Sequence, residues 1–256
     1  MSLARKGIRL RFSPARRLVD EYLFHARQIP TVPVRAEFNV TQLVAARMRC
    51  EDRPSWVCIF IKAFSIVAQQ RPELRRCYQR WPTKHLYEHP GSECTVLVER
   101  EWDGEKSVLA AKVHEPESMP ITEIQKRLRR MQNAALTELS DFRQLLNLSR
   151  MPGWMRRAAF WFTMHLSGER RCRRLGTFMV STLGDLGAEL LHPRAAITTY
   201  LSFGPVRANG DVAVILTFDH RVLDGRTAAR ALTALRETLN GVICAEIRML
   251  PRRQTA

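Results

Sequence analysis

Residues 216–241, LTFDHRVLDGRTAARALTALRETLNG, join two kinds of hydrophobic pattern. The apolar run that ends at Phe218 predicts a buried strand, and apolar residues at helical spacing after Gly225 predict a helix. Gly241 predicts a glycine cap at the end of that helix. His220 therefore lies in a turn between a strand and a helix.

This position is compatible with two roles for His220. An imidazole titrates near neutral pH, and one that is held rigidly at the end of a sheet suits general base catalysis. Alternatively, His220 ties the strand to the helix, and Asp224 is the N-cap of the helix. On spacing alone, the structural interpretation is favoured.

The composition indicates a globular protein with a strongly basic surface. The 256 residues are 45% hydrophobic, and 41 Lys and Arg against 25 Asp and Glu give a net charge of +16. Such a charge favours anionic partners, which include the phosphates of a cofactor, an anionic membrane and nucleic acid. The sequence contains no recognised nucleic-acid-binding motif, so nucleic acid is the least favoured of these partners.

The cysteines and the amino terminus indicate the compartment. Six cysteines are spread along the chain without a metal-ligand spacing, so we expect reduced thiols and no metal site. The basic amino terminus is not followed by the apolar core of a signal peptide. No apolar run reaches the roughly 20 residues that a membrane span needs, and we therefore expect a cytoplasmic protein.

Short strands and helices alternate irregularly along the rest of the chain. Helices are predicted from Pro14 after a Ser13 cap, from Thr41, over 56–68 and over 122–139, and strands over 32–40, 84–88, 94–99, 107–113, 176–184, 195–204 and 211–218. Asp103-Gly104 predicts a hairpin turn. Elements mixed in this way predict one layered α+β domain.

Several segments, in their order along the chain, resemble the catalytic domain of the acyltransferase components of 2-oxoacid dehydrogenases. FDHRVLDG (218–225) resembles the family signature His-x-x-x-Asp-Gly, and GTFMVSTLG (176–184) resembles the segment Gly-x-Phe-Thr-Ile-Ser-x-Leu-Gly. CIFIKAFSIVAQQRPEL (58–74) is similar to a buried helix of the family, and SPARRLVDEYLFHARQIPTVPV (13–34) to its opening helix. The resemblance covers most of residues 10–241.

This resemblance implies a fold, a cofactor and a catalytic site. The fold is the chloramphenicol acetyltransferase-like α+β two-layer sandwich, with a mixed β-sheet and packed helices, and the substrate is an acyl-CoA whose contacting residues are not specified. His220 is implied to be the general base that deprotonates a thiol, hydroxyl or amine acceptor, and Ser181 the donor to the oxyanion. Asp224 is implied to fix the loop of the histidine by pairing with an arginine, for which Arg16 and Arg17 are available.

The resemblance also implies an assembly. Family members form trimers, or multiples of trimers, with the active site in the channel between subunits. His220 and Ser181 would then act from different chains, and a monomer would be inactive. Thr182 follows Ser181 on a predicted strand, so its side chain should point to the opposite face.

The chain differs from the family members that form dehydrogenase complexes. We expect one catalytic domain over residues 1–256, with its core at about 10–241, and neither a lipoyl domain nor a peripheral-subunit-binding domain. Lys62 lies in an apolar helical run and not at a hairpin tip, so it is not a lipoyl lysine. A freestanding acyltransferase is therefore the favoured function, and a non-catalytic scaffold or partner subunit with the same fold is the alternative.

Residues 152–174 have no close counterpart in the family. Aromatic and aliphatic side chains are flanked there by arginines, a combination that resembles an interfacial amphipathic helix. One interpretation is a helix that packs on the sheet and leaves its arginines in solvent. The other is a surface for an acyl chain, a lipid acceptor or an anionic membrane, which would make the protein membrane-peripheral.

Overall fold

The computed structural model describes residues 7–253 and is built around strands that form two sheets. The strands are β1 (Thr31–Asn39), β2 (Arg76–Gln79), β3 (His85–Glu88), β4 (Glu93–Trp102), β5 (Glu105–His114), β6 (Phe178–Thr182), β7 (Thr199–Phe203) and β8 (Asp211–Asp219). Six of them form a mixed sheet in the order β1-β8-β7-β6-β4-β5, and β2 pairs with β3. Strand β6 is parallel to β4 and β7, whereas β8 is antiparallel to β7 and β1.

Helices connect these strands. They are α1 (Pro14–Ala26), α2 (Thr41–Met48), α3 (Trp56–Gln70), α4 (Ile121–Asn133), α5 (Ser140–Arg150), α6 (Gly153–His165), α7 (Gly168–Leu175), α8 (Gly225–Thr238) and α9 (Cys244–Arg248). The predicted Ser13 cap is confirmed, because its hydroxyl accepts a hydrogen bond from the backbone N of Arg16. Within residues 7–253, no helix is both long enough and apolar enough to cross a membrane.

The main core lies between one face of the six-stranded sheet and helices α3, α4 and α8. The ring of Phe60 on α3 stacks on Phe203 of β7 with 4.0 Å between ring centroids, and Phe64 meets Phe178 of β6 edge-on. Helix α3 buries residues on nearly all sides, as its continuous apolar run predicts. The α+β sandwich of a mixed sheet and packed helices is therefore confirmed.

The opposite face of the sheet carries smaller clusters. Met179 and Tyr200 pack there with Ala195 from the connection between β6 and β7. Helices α1 and α6 meet nearby, where Ala26 and Met164 are buried together. This face is consequently less fully covered by helices than the first.

Most predicted elements are confirmed, including the hairpin turn between β4 and β5. Asp103 and Gly104 have φ values of 56° and 73°, which is the left-handed conformation that Gly and Asp tolerate best. Strand β2 was not predicted, because four residues are too few to establish an alternating pattern.

The helix predicted over 122–139 is shorter than expected. Helix α4 ends at Asn133, and α5 begins only at Ser140. The guanidinium of Arg100, on β4, donates hydrogen bonds to the backbone carbonyls of Met131 and Ala134. A distant side chain thus satisfies the terminal carbonyls of α4, which local sequence could not reveal.

The predicted cap at Gly241 is wrong. The chain passes through Gly241 in a π-helical turn, Leu239–Ile243, and continues into α9. Leu239, Ile243 and Ile247 are fully buried. Burying one such side chain contributes about 1.5–3 kcal/mol, which outweighs the cost of about 1 kcal/mol for a helical glycine.

Residues 152–174 form two helices and not one. Helix α6 ends at His165, and α7 begins after Ser167, whose hydroxyl accepts a hydrogen bond from the backbone N of Arg170. Only part of α6 is buried by the fold, since Phe160 and Met164 face inward while Trp154 is 75% exposed. The inward side of α6 thus packs against the fold, and the interpretation of 152–174 as a surface for lipid or an acyl chain stays a prediction.

Candidate active site

Strand β8 ends at Asp219, and His220 is the first residue of the turn between β8 and α8. The backbone N of His220 donates to the carbonyl of Pro30 at 2.9 Å, and its ring Nδ1 lies 3.0 Å from the carbonyl oxygen of Leu223. A carbonyl can only accept, so the neutral ring carries its proton on Nδ1. Nε2 is left as the basic nitrogen of an exposed side chain.

The residues beside His220 brace the turn. The fully buried carboxylate of Asp219 binds the guanidinium of Arg221 at 2.7 and 2.9 Å and also accepts from its backbone N. The guanidinium of Arg221 lies 4.4 Å from the centre of the Tyr78 ring. This brace was not predicted, although its two charged residues flank the histidine in the sequence.

Asp224 supports the same turn through the helix. Its carboxylate accepts from the backbone N of Thr227 at 2.7 Å and caps α8, and this hydrogen bond lowers the pKa of Asp224. The expected partners are engaged elsewhere, since Arg16 binds Glu105 at 3.1 Å and Arg17 donates to the carbonyl of Phe12. Within the described chain, Asp224 is thus a helix cap and not the partner of Arg16 or Arg17.

Ser181 lies near the end of β6, on the face opposite the main core. It shares that face with Met179 and with Tyr200 of β7. Met179 is directly opposite Tyr200 in the register, so Tyr200 is the diagonal neighbour of Ser181, within the reach of an aromatic side chain. Sequence reasoning did not find Tyr200, because its proximity to Ser181 depends on strand register.

Thr182 points to the other face, as predicted. Its hydroxyl donates to the carbonyl of Phe203 at 2.7 Å and accepts from the backbone N of Gly184 at 2.9 Å. These bonds tie the end of β6 to the end of β7. The Thr182 hydroxyl is therefore occupied by hydrogen bonds that hold the fold, whereas the Ser181 hydroxyl lies on the less covered face of the sheet.

The fold does not bring His220 and Ser181 together within one chain. Ser181 is opposite Ser202, near the end of β7, whereas Phe218 is opposite Thr199, at its beginning. The two positions differ by about five residues along the strands and by two strands across the sheet. At ~3.3 Å per residue and ~4.8 Å per strand, their Cα atoms are roughly 15–20 Å apart.

Several arginines lie around His165, and one of them is Arg221 from the turn that carries His220. Burial lowers the pKa of His165, and the nearby Arg171, Arg80 and Arg221 lower it further. Arg171 is only 2% exposed and donates to the carbonyls of Tyr78 and Ala196. Arg221 is neutralised by Asp219, but backbone carbonyls carry no net charge, so the charge of Arg171 is retained and its field favours an anionic ligand.

Lys62 is buried in α3. Its Nζ donates to the backbone carbonyls of Glu117 and Met119, and the residue is 7% exposed. The prediction that Lys62 lies in a helix and not at a hairpin tip is confirmed.

Comparison with known proteins adds information on the fold. No protein-family model and no curated protein matches the sequence. A probable dihydrolipoamide acetyltransferase from Listeria monocytogenes is 17% identical, with a TM-score of 0.61 over 99% of this chain and 98% of that chain. A truncated catalytic core of the 2-oxoacid dehydrogenase multienzyme complex from Thermoplasma acidophilum is 16% identical, with a TM-score of 0.65 over 92% of this chain and 99% of that chain.

A third structure is the dihydrolipoamide acetyltransferase of Azotobacter vinelandii, at 14% identity and a TM-score of 0.65 over 93% of each chain. It was studied for the roles of a serine, a histidine and an asparagine in its catalytic mechanism. The present chain thus has the fold of an acyltransferase catalytic core. More narrowly, it is the core fold of the acyltransferases of 2-oxoacid dehydrogenase complexes, and the resemblance seen in the sequence is confirmed.

Proposed function

We propose that the protein is a CoA-dependent acyltransferase whose active site lies between two subunits of a trimer, with His220 from one chain and Ser181 from the other. The observation that carries the proposal is the position of these two residues. They lie at opposite ends of the same sheet, roughly 15–20 Å apart in one chain. The general base and the oxyanion donor must both lie within hydrogen-bond reach of the reacting groups. Two residues of one chain at this distance cannot meet that condition, so one of them must come from a second chain.

His220 acts as the general base through Nε2. This nitrogen takes the proton of an acceptor thiol, hydroxyl or amine while the acceptor attacks the thioester carbonyl of an acyl-CoA. The hydrogen bond from Nδ1 to the carbonyl of Leu223 persists when the ring becomes an imidazolium. When the tetrahedral intermediate collapses, the C–S bond breaks, and His220 returns the proton to the CoA thiolate.

Ser181 stabilises the oxyanion of that intermediate. Its neighbour Tyr200 is buried, and burial raises the pKa of its phenol, which therefore remains a neutral donor. The neutral phenol adds no negative charge beside the developing oxyanion, to which the Ser181 hydroxyl donates. A donor aimed at the oxyanion is typically responsible for a rate factor of about 100 or more.

The charge near His220 supports an anionic substrate such as acyl-CoA. Arg80 and Arg171 lie close enough to lower the pKa of His165, as does Arg221, which is paired with Asp219. The phosphates of CoA are partners that arginine binds well. We infer a freestanding enzyme that transfers the acyl group to a small thiol, hydroxyl or amine.

The activity is tested by following CoA release from a panel of acyl-CoA thioesters with thiol, hydroxyl and amine acceptors. We expect turnover with at least one pair, and a loss of at least about 100-fold in His220→Ala. Turnover that is unchanged in His220→Ala would contradict the mechanism. Absence of turnover with the entire panel would favour a non-catalytic scaffold with the same fold.

The shared site is tested by mixing two inactive variants. His220→Ala and Ser181→Ala subunits are unfolded together, refolded as hybrids and assayed against each variant refolded alone. If the two residues act from different chains, some sites in a hybrid contain both native side chains, and activity returns. A hybrid that is as inactive as its parents, although it assembles with the same mass as the wild type, would contradict the shared site.

A further inference from the structure

The outward side of α6 has an apolar surface that the fold leaves uncovered. We call this surface the α6 stripe. It consists of Trp154 (75% exposed), Met155 (39%), Trp161 (43%), Phe162 (46%) and Leu166 (42%), where Leu166 is the residue after the last turn. These positions recur at the spacing of one helix face.

The α6 stripe is not the side of α6 that packs against the rest of the protein. Phe160 and Met164 point inward and are 8% and 3% exposed, and the ring of Phe160 stacks on His25 of α1. Helix α6 is therefore apolar on two sides, of which folding buries one. A contiguous exposed patch with several aromatic side chains marks a binding surface.

Positive charge accompanies the stripe. Residues 150–174 contain seven arginines and one glutamate. Arg157 lies between Trp154 and Trp161 on the helix surface, and its guanidinium is half exposed although it binds the buried Glu21 at 2.9 Å. The single acid, Glu169, is paired with Arg173, so most of the positive charge is uncompensated.

Tryptophan and arginine side by side match the chemistry of a lipid headgroup region. Trp combines an apolar ring with a polar N–H and is favoured where hydrocarbon meets water. Arg binds lipid phosphates while its methylene groups remain near the apolar surface. A stable contact with a second protein needs about 20–30 residues on each side, whereas the stripe has five on one short helix.

We propose that the α6 stripe docks the protein on an anionic lipid bilayer, with α6 lying in the plane of the headgroups. The five apolar side chains enter the interface to a depth of about 5–10 Å. The exposed Arg157, Arg170 and Arg174 bind the phosphates. This docking surface is independent of the catalytic proposal, because its residues take no part in the chemistry assigned to His220 and Ser181.

The apolar contribution is measured by co-sedimentation of the full chain with vesicles of equal parts phosphatidylcholine and phosphatidylglycerol. We expect Trp154→Ser/Trp161→Ser to bind at least about ten-fold more weakly than the wild type. The control variant Val242→Ser/Met249→Ser removes two apolar side chains that are also exposed but lie near the carboxyl terminus, and it should bind normally. Equal binding by the wild type and the tryptophan variant would overturn the proposal.

The electrostatic contribution is measured with vesicles of phosphatidylcholine alone, to which we expect much weaker binding. Arg170→Gln/Arg174→Gln, on exposed positions of α7, should weaken binding to the mixed vesicles roughly 30-fold at low salt. Lys126→Gln/Arg130→Gln, on the exposed side of α4, removes the same charge elsewhere and should have a smaller effect. Equal effects of the two charge variants would indicate attraction by net charge alone and would overturn the assignment of the surface.

Tryptophan fluorescence and the mass in sedimentation provide two further tests. In the wild type, the fluorescence of exposed tryptophans should shift to the blue on mixed vesicles and be quenched by brominated lipid, whereas an unshifted spectrum would overturn the proposal. Without vesicles, the tryptophan variant should sediment with the same mass as the wild type. A smaller mass would mean that the stripe packs against a second copy of the chain, which also overturns the proposal.

Discussion

His220 is positioned by backbone atoms. The carbonyls of Pro30 and Leu223 accept from its backbone N and its ring Nδ1. A substitution at Pro30 or Leu223 changes a side chain but keeps the backbone carbonyl, so most substitutions at these two positions should leave the orientation of the His220 ring unchanged. The Asp219–Arg221 ion pair next to it prevents the short turn from relaxing.

Ser181 and Thr182 provide a matched pair for separating catalysis from stability. Ser181→Ala removes the proposed oxyanion donor, so kcat should fall about 100-fold or more, which corresponds to about 2.7 kcal/mol or more, while the unfolding midpoint changes little. Thr182→Val removes the bonds to Phe203 and Gly184, so it should lose about 1–2 kcal/mol of stability with kcat nearly unchanged. Urea denaturation and steady-state kinetics check both, and the reverse pattern of effects would contradict the catalytic role of Ser181 and the structural role of Thr182.

Asp224 should be replaceable by asparagine but not by alanine. Asparagine caps a helix about as well as aspartate, whereas alanine leaves the N–H of Thr227 without its acceptor. We expect Asp224→Asn to keep the thermal midpoint and activity of the wild type, and Asp224→Ala to lower both. Loss of activity in Asp224→Asn at an unchanged midpoint would indicate that the charge itself takes part in the reaction.

The sequence revealed residue types better than residue contacts. His220 and Ser181 are recognisable because each lies in a short motif of consecutive residues. Tyr200 was missed, because its position beside Ser181 depends on strand register. The partner of Asp224 was misassigned, because this carboxylate caps a helix and does not pair with an arginine. Arg16 was an available cation for Asp224 by composition, but the fold places it beside Glu105.

The ends of two helices are set by contacts outside the helical pattern itself, one polar and one apolar. Arg100 of β4 ends α4 by binding its last carbonyls, and the buried Ile247 extends the last helix beyond Gly241. Hydrophobic periodicity predicted the existence of both helices. It could not predict their ends, because these depend on partners far away in sequence.

Tyr22 of α1 anchors the long connection between β6 and β7. Its hydroxyl accepts from the backbone N of Ala196 at 2.9 Å, and burial raises the pKa of Tyr22 to about 12, so the phenol stays neutral at physiological pH. Tyr22→Phe leaves that buried N–H unpaired and should cost about 1–3 kcal/mol in urea denaturation. The same change at the half-buried Tyr87 should cost less than about 0.5 kcal/mol. Equal losses of stability in the two variants would show that the hydrogen bond between Tyr22 and Ala196 does not stabilise the fold.

At the scale of the whole molecule, the order of strands explains the expected oligomer. Strand β8 runs antiparallel to β7, and β6 runs parallel to β7, so residues that follow β8 and residues late in β6 lie at opposite ends of the sheet. The sequence resemblance predicted this fold over most of residues 10–241. The separation of His220 and Ser181 became evident only when strand register was known.

The net charge of +16 should affect the binding of acyl-CoA more than its turnover. Raising ionic strength from about 0.01 M to about 1 M shortens the Debye length from about 30 Å to about 3 Å, so attraction between the arginines near His220 and the CoA phosphates weakens. We expect KM for acyl-CoA to rise several-fold while kcat is nearly constant. The matched substrate is the acyl thioester of N-acetylcysteamine, which has the same reacting carbonyl but no phosphate, and its KM should be insensitive to salt. If salt raised both KM values equally, the charge would act on assembly or folding of the protein, and the arginines would have no direct role in recognising CoA.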